Sequence, residues 1–237
     1  MQRRRRHLRL GSRYWDRVAG EWNERVFNTL KEDRNGAIAE ELARAARGAD
    51  SVADFGCGVG VYLPLLSRLF GAVQGLDFSA RCIRAARRRA RRMPNVTACV
   101  ATSAPRPLRG RFGVVLCVNA ALHPSRRVWL GVLRSARALM KPRGRLLLVV
   151  PALESAALIA RAKNLELHSR RGVVSAGRVP TKHFAKDELA RLLTGLGLEV
   201  ARIRRMEYSW RSHDIRPPPA LRRTGPWDWL AVARGPA

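Results

Sequence analysis

Acidic residues are scarce in this sequence: 18 Asp and Glu stand against 46 Lys and Arg, and the formal net charge is +28. Lysine is also rare, with five residues, so arginine carries nearly all of the positive charge. No acidic residue occurs between Asp77 and Glu154. Such an excess is typical of a protein with an anionic partner, nucleic acid above all, but a GC-rich coding sequence also places arginine on solvated surfaces. Composition leaves both interpretations open.

Long apolar runs and paired cysteines are missing as well. No run reaches the ~18 residues that a membrane helix needs. The basic N-terminus has no apolar core, which is not the pattern of a secretory signal. The four cysteines form no CxxC pair and therefore favour neither a disulfide framework nor a zinc site; they are Cys57, Cys82, Cys99 and Cys117. These features predict a protein of the reducing cytoplasm that needs no metal.

The densest run of arginines lies at 81–92, where RCIRAARRRARR contains seven. The surrounding pattern predicts a helix over 79–92 with Ser79 as its N-cap. At helical spacing, we expect the seven side chains to spread around the helix instead of following one face. Spread charge is more typical of a solvated helix than of a groove shaped for one ligand.

Strands and helices alternate along the middle of the chain. Short apolar runs predict strands, and segments of helical periodicity separate them. The predicted strands are 51–55, 72–76, 96–101, 113–118 and 145–150. Strands that alternate with helices form a parallel sheet covered on both faces. Two late strands, 198–205 and 229–233, are expected to form a hairpin at the sheet edge. The predicted fold is therefore α/β, with a doubly wound, mostly parallel sheet of seven strands.

A glycine-rich loop, VADFGCGVG at 52–60, lies between a predicted strand and a predicted helix. Glycine is needed where a ligand lies against the backbone, because a Cβ atom would collide with it. Asp77 ends the next strand, where a carboxylate can accept hydrogen bonds from both ribose hydroxyls of a nucleoside. Because it would face the ligand cleft, we expect Asp77 to contribute little to stability; the alternative role is a structural cap for the following turn, which would stabilise the fold. A dinucleotide fingerprint would need a glycine at Val61, which disfavours NAD(P).

The loop, with Asp54 two residues before its first glycine, resembles motif I of the class I S-adenosylmethionine-dependent methyltransferases, (D/E)xGxGxG. Later segments are similar to further motifs of that family: GLDFS at 75–79, FGVVLCVNAALHP at 112–124, LMKPRGRLLLVVP at 139–151 and HFAKDELARLLTGLGLEV at 183–200. The resemblance covers about residues 50–205 and is of the broad small-molecule type. It implies a Rossmann-like methyltransferase fold with S-adenosylmethionine as the cofactor.

The resemblance also implies which residues contact the cofactor. Asp54 is expected to fix the loop and the cationic amino group of the methionine moiety, Asp77 to bind the ribose, and Phe78 to lie beside the adenine. The family commonly has an Asp after the third strand, and here a hydroxyl or backbone group would replace it. The complete expected set is Asp54, Gly56, Cys57, Gly58, Gly60, Asp77, Phe78, Thr102, Ser103, Asn119 and Ala120.

Two parts of the chain are expected to have different roles. Residues 1–35 are predicted as a basic tail and a helical lid, with an amphipathic helix over 13–34. Its aromatic residues either cover the cofactor and substrate or simply pack the helix; they are Tyr14, Trp15, Trp22 and Phe27. Residues 36–237 are predicted as the methyltransferase domain, with an irregular substrate-side segment at about 151–183.

A sulfonium is already a strong methyl donor, so holding the nucleophile in line with the methyl group in a dry pocket can supply much of the catalysis. A base is needed only where the nucleophile must first lose a proton. His123, just after the fourth predicted strand, is the candidate base, although a histidine there also serves as a turn cap or packing residue. His183 is a weaker candidate.

Several subclasses of methyltransferase are disfavoured by the residues after the fourth strand. The chain has no (N/D)PP(Y/F) motif, which disfavours methylation of the amino groups of adenine or glutamine, and no Pro-Cys nucleophile for cytosine C5. The acid-free stretch 78–153 lacks the carboxylates of a catechol-type metal site.

Three functions stay open at this stage. A small-molecule methyltransferase acting on an O, N or C nucleophile is the first. An RNA methyltransferase whose arginines hold phosphates is the second, and a methyltransferase-like binding protein without turnover is the third. The sequence leaves the oligomeric state open.

Overall fold

The computed structural model describes residues 12–19, 28–175 and 179–237. In chain order its strands are β1 (Ser51–Phe55), β2 (Ala72–Asp77), β3 (Val96–Val100), β4 (Phe112–Val118), β5 (Met140–Pro151), β6 (Ser169–Arg170), β7 (Val173–Val174), β8 (Thr181–Lys182), β9 (Glu199–Glu207) and β10 (Trp227–Arg234). Its helices are α1 (Ser12–Val18), α2 (Thr29–Glu32), α3 (Ala37–Ala46), α4 (Leu63–Leu69), α5 (Ala80–Ala90), α6 (Arg126–Leu139), α7 (Leu153–Ala162) and α8 (Lys186–Gly195).

Seven strands form the central sheet, in the order β3-β2-β1-β4-β5-β10-β9. The first five strands in this order run parallel to one another, whereas β10 runs antiparallel to both β5 and β9. The predicted mostly parallel, doubly wound α/β sheet is therefore confirmed, and so is the predicted hairpin at its edge. No helix in the described ranges combines the length and the apolar character that crossing a bilayer requires.

Helices cover both faces of the sheet. In β5, Leu147 and Val149 belong to the core that α3, α4 and α5 close, whereas Leu146 and Leu148 belong to the core that α6 and α8 close. Side chains alternate across a strand, so a strand buried on both faces must be apolar at every position. This requirement explains the continuous run LLLVV, whose five residues are all fully buried.

The N-terminal helix predicted over 13–34 is not continuous. The helix α1 ends at Val18, and α2 begins only after Asn28, whose side chain accepts a hydrogen bond from the amide of Lys31. An asparagine that caps a helix has a non-helical backbone, so it starts a new helix instead of continuing an old one. Of the four predicted lid aromatics, Trp22 and Phe27 lie outside the described residues.

The segment 151–183 contains α7, in agreement with a helix expected near 154–167, and also a small antiparallel sheet of β6, β7 and β8 that the sequence does not indicate. Lys182, which is fully buried, fastens this segment to α8. Its ammonium group donates to both carboxylate oxygens of Glu188, at 2.7 and 2.9 Å, and to the carbonyl of Arg171. It also lies over the ring of Phe184, 4.7 Å from the centroid.

Candidate active site

The carboxyl ends of the parallel strands meet at one end of the sheet. The last residues there are Phe55 of β1, Asp77 of β2, Val118 of β4 and Pro151 of β5. The antiparallel pairing of β10 with β5 brings Asp228 opposite Pro151, so the beginning of β10 lies at the same end. Ligands of open α/β sheets bind in the crevice at this end.

The glycine loop turns sharply as it leaves β1. Gly56, Gly58 and Gly60 have φ angles of +84°, +54° and +78°, a region that favours glycine. A Cβ atom on Gly56 would lie 2.5 Å from the Cβ of Ala120, which follows β4. The predicted loop thus lies against the segment after the fourth strand, and there is no room for a side chain between them.

Asp77 holds this loop in place. Its two carboxylate oxygens accept hydrogen bonds from the amides of Gly58, at 3.0 Å, and Ser79, at 2.8 Å. The side chain is buried, and burial raises its pKa while the amide hydrogen bonds lower it in part. Asp77 thus also caps the turn that follows β2, and we now expect its removal to lower stability, since it would leave two amides without acceptors. Each oxygen retains a second lone pair with which it can bind a ribose hydroxyl.

Asp54 lies at the bottom of the cleft, 2% exposed. Its Oδ2 atom is buried and has no hydrogen-bond partner in the described structure. Burial, together with repulsion from the nearby Asp77, raises the pKa of Asp54 to about 8. A buried carboxylate oxygen without a donor is costly in the protein alone and well suited to a cationic ligand.

A second buried acid, Asp228, lies beside Asn119 at the end of β4. The Oδ2 atom of Asp228 accepts hydrogen bonds from Asn119 Nδ2 at 2.9 Å and from the hydroxyl of Tyr208 at 2.8 Å. Burial raises the pKa of Asp228. Because its amide nitrogen is engaged, Asn119 turns its Oδ1 atom elsewhere, and that buried atom has no partner among the described residues. Asn119 has φ +48°, so its backbone also departs from the strand.

These observations fit S-adenosylmethionine, whose sulfonium and ammonium groups are both cationic. In a chain with a net charge of +28, three buried aspartates, Asp54, Asp77 and Asp228, lie at one end of one sheet. Two buried acceptor atoms, Asp54 Oδ2 and Asn119 Oδ1, lack donors among the described residues. The glycine loop supplies a backbone surface against which a ligand can lie. The residues present therefore suit a cationic nucleoside better than an anionic dinucleotide.

The residues expected around the adenine lie at the neighbouring strand ends. Phe78 is half-buried directly after Asp77, whereas Thr102 and Ser103 are exposed just beyond β3. The main chains of these two ends are joined, since the amide of Ala101 donates to the carbonyl of Asp77. Helix α1 covers this corner, because Asp16 accepts a hydrogen bond from the Ser79 hydroxyl at 2.5 Å. Cys57 is buried behind the loop and packs near Gly75.

The two candidate bases differ in their surroundings. His123 accepts a hydrogen bond at Nδ1 from the amide of Ser125, at 3.0 Å, an arrangement typical of a turn cap before α6. His183 is largely buried, and burial lowers its pKa. Among the described residues, no three His, Cys, Asp or Glu side chains are grouped so as to hold a metal ion.

A large groove of about 1240 Å³ lies apart from the strand ends, on the side covered by α6 and α8. The groove is lined by Lys182 and Trp129, together with Arg134 of α6 and Arg191 of α8. The glycine loop and Asp77 are not part of its lining. Size alone therefore does not mark the site here, and the chemistry at the strand ends carries the assignment.

The sequence reasoning missed Asp228, Tyr208 and Tyr62. Tyr62 follows the glycine loop, is buried, and its hydroxyl lies 2.7 Å from that of Thr29. One signal for Asp228 was present, since an acidic residue inside the apolar run WDWLAVA requires a buried partner. Its partner Asn119, 109 residues earlier, could not be identified without the strand order.

Comparison with known proteins agrees with this site. A family model described as a methyltransferase domain matches residues 30–203. Trans-aconitate 2-methyltransferase of Paracidovorax citrulli (strain AAC00-1) is 36% identical over 114 residues, which are 47% of this chain and 41% of that protein. The matched part thus spans less than half of that curated relative.

Solved structures share the fold. A Burkholderia thailandensis 1,6-didemethyltoxoflavin-N1-methyltransferase, with S-adenosylhomocysteine bound, superposes with a TM-score of 0.64 at 17% identity, covering 95% of this chain and 87% of that one. A SAM-dependent methyltransferase from Aquifex aeolicus gives a TM-score of 0.60 at 15% identity, covering 92% and 97%.

The raised pKa of Asp54 predicts a pH-dependent stability. The pKa of Asp54 is about 8 in the folded protein, whereas the usual pKa of an aspartate is 3.8. The protonated Asp54 therefore contributes fully to the free energy of unfolding below the unfolded pKa. As the pH rises from there towards 8, this contribution is lost, and the free energy of unfolding falls by up to about 1.4 kcal/mol per pH unit. We expect Asp54→Asn to remove this loss. Urea unfolding of both proteins without cofactor, from pH 5 to 8, measures the difference, and parallel curves would contradict the assignment.

The family match, the strand order and the cationic-ligand site point to one conclusion. The family model covers most of the chain, including β1 to β5 and the glycine loop. The chain belongs to the methyltransferase domain family, within the class I S-adenosylmethionine-dependent methyltransferases.

Proposed function

We propose that this methyltransferase acts on an O, N or C nucleophile of a small molecule. The observation that carries the proposal is a roof of residues 28–35, which crosses from the glycine loop to the end of β9. Residues 28–35 run from Tyr62, beside the glycine loop, to the end of β9. A roof of this kind leaves room for a small substrate, whereas a macromolecule would need an open cleft.

The roof is fastened at several points. Asn35 exchanges hydrogen bonds with β9, donating to the carbonyl of Arg205 and accepting from the amide of Glu207. The Ser212 hydroxyl donates to the carboxylate of Glu32, so the loop 208–226 joins the N-terminal segment. The hydroxyl of Tyr208 reaches down from the same loop to Asp228. The roof and the buried acids are thus parts of one hydrogen-bonded arrangement.

The bound cofactor supplies an activated methyl group, and the protein's residues position the reactants. Asp77 would hold the ribose, Asp54 would pair with the ammonium group, and Asn119 would present its Oδ1 atom to a donor in the cleft. A roof that keeps water from the cleft would strengthen each of these electrostatic contacts. His123 is the proposed base only if the nucleophile must lose a proton.

A small carboxylic acid is the first substrate class to test. The relative in Paracidovorax citrulli methylates trans-aconitate according to its name, and the Burkholderia thailandensis neighbour methylates the ring nitrogen of a small heterocycle. Both are small molecules.

We also propose a reducing cytoplasmic location, because all four cysteines are free thiols.

Labelled methyl transfer tests the substrate class. Protein, tritiated S-adenosylmethionine and a fractionated lysate are incubated, and the label is measured in RNA, protein and small-molecule fractions. Label in the small-molecule fraction is expected, with a protein heated to unfold it as the blank. If label enters only RNA, the protein is an RNA methyltransferase and the proposal is wrong. If the protein binds the cofactor but transfers no label, a binding protein without turnover is favoured.

Gly56→Ala is expected to weaken S-adenosylhomocysteine binding by about 100-fold or more, because a Cβ atom 2.5 Å from Ala120 must displace the loop. Gly110→Ala is the matched control: Gly110 also has a positive φ, +65°, but no atom lies within 4 Å of its added Cβ. Both variants carry backbone strain, and only the first one adds a collision at the site. Calorimetric titration measures the affinities, and equal affinities would show that the loop does not contact the cofactor.

A further inference from the structure

The helix α5 presents a surface made almost entirely of arginine. Its buried side consists of Cys82, Ile83, Ala86 and Ala90. All seven arginines lie outside this buried side and are exposed; this α5 arginine face consists of Arg81, Arg84, Arg87, Arg88, Arg89, Arg91 and Arg92. The arginines thus spread over the whole solvent side of this amphipathic helix, and its buried side lacks them.

These arginines are not neutralised by acids. Within the described ranges, no carboxylate forms an ion pair with any member of the α5 arginine face. The arginines beside α3 differ, since Arg44, Arg202 and Arg204 all contact Glu40 or Glu41. The ion pairs of these arginines thus lie at one edge of the sheet; on α5, Arg87 donates to the carbonyl of Ala98 at 2.8 Å, and none of the seven is paired with an acid in the described ranges.

The surroundings of α5 add to the positive potential. Helix α4, which packs against α5, contributes Arg68, and α1 contributes Arg17. The acids at the beginning of α5 are already engaged: Asp16 accepts hydrogen bonds from the Ser79 hydroxyl and the amide of Arg81, and Asp77 accepts one from the amide of Ser79. Like charges at this density repel one another, so an anionic partner gains from relieving that repulsion.

We propose that the α5 arginine face binds the phosphodiester backbone of RNA. Arg81, Arg84, Arg88 and Arg91 recur every three or four residues, which places them in a row about 15 Å long. Nucleic acid strands present one phosphate about every 3.4 Å along the helix axis, so several phosphates lie within reach of this row. A guanidinium group can bind a phosphate through two parallel N–H···O hydrogen bonds.

A membrane surface is the less suitable partner. The large apolar side chains exposed in the described structure are Val100, Val128 and Leu165, and none of them belongs to α5. A helix that binds in the plane of a bilayer needs such side chains to enter the acyl region. The face offers charge without an apolar anchor, which matches a phosphate backbone.

This surface goes beyond the proposed function. It begins at Ala80, directly after the strand end that carries Asp77, and then leads away from the cleft along the outside of α5. Binding there needs neither the roof nor the glycine loop. The binding of RNA and the methylation of a small molecule therefore succeed or fail independently.

The test compares two variants of the full chain with equal net charge. One carries Arg81→Gln, Arg84→Gln, Arg88→Gln and Arg91→Gln. The control carries Arg127→Gln, Arg134→Gln, Arg161→Gln and Arg191→Gln, four exposed arginines on α6, α7 and α8, away from α5. Fluorescence anisotropy with a labelled oligouridine and an RNA duplex of equal length measures affinity at several salt concentrations. Melting temperature and S-adenosylhomocysteine affinity establish that both variants fold.

The first variant is expected to lose affinity for RNA by about tenfold or more, and its plot of log K against log salt to become shallower by about 3. The control is expected to change the slope by less than about 1. Equal losses in both variants would show that binding follows net charge alone and would overturn the proposal. So would equal binding of polyglutamate, or binding of phosphatidylserine vesicles without binding of RNA.

Discussion

The carboxylate of Asp77 is the interaction on which the site depends. It lies at the end of β2 and accepts hydrogen bonds from the amides of Gly58 and Ser79. One bond fixes the glycine loop that leaves β1, and the other fixes the turn that begins α5. Without this carboxylate the amide of Gly58 would lose its acceptor, and the loop would depend on the bonds from Gly56 and Cys57 to the carbonyl of Leu76.

The charges of the protein are separated by position. The surface is dominated by arginine, whereas three of the 18 acidic residues are buried at the strand ends, where burial raises their pKa values. Burying carboxylates near one another is unfavourable without a cation. With the contacts proposed above, the cationic groups of S-adenosylmethionine would supply that cation, and relief of this unfavourable burial would contribute to cofactor binding.

Much of the fold could be predicted because its signals are local. Ser79 caps α5 as its position indicates, accepting a hydrogen bond from the amide of Cys82, and the five parallel strands follow the apolar runs. The break in the N-terminal helix was missed because apolar periodicity continues across Asn28, where the capping geometry starts a separate helix.

The site was only partly predictable, because some of its contacts join residues that are distant in sequence. The glycine loop and Asp77 are close in sequence and form a recognisable motif. The contact of Asn119 with Asp228 instead depends on β10 inserting antiparallel between β5 and β9, which a sequence pattern does not specify. Likewise, the spacing of Asp77 suggested a ligand contact but did not show that its oxygens also bind two amides.

Asp77→Ala, studied beside Asp50→Ala, tests the central role of this carboxylate most directly. Asp50 also accepts a hydrogen bond from an amide, that of Gly71, but at the opposite end of the sheet. Both variants are expected to lower the melting temperature, and only Asp77→Ala is expected to weaken S-adenosylhomocysteine binding, by about 10- to 150-fold. A dissociation constant that is unchanged per folded molecule of Asp77→Ala would contradict the account.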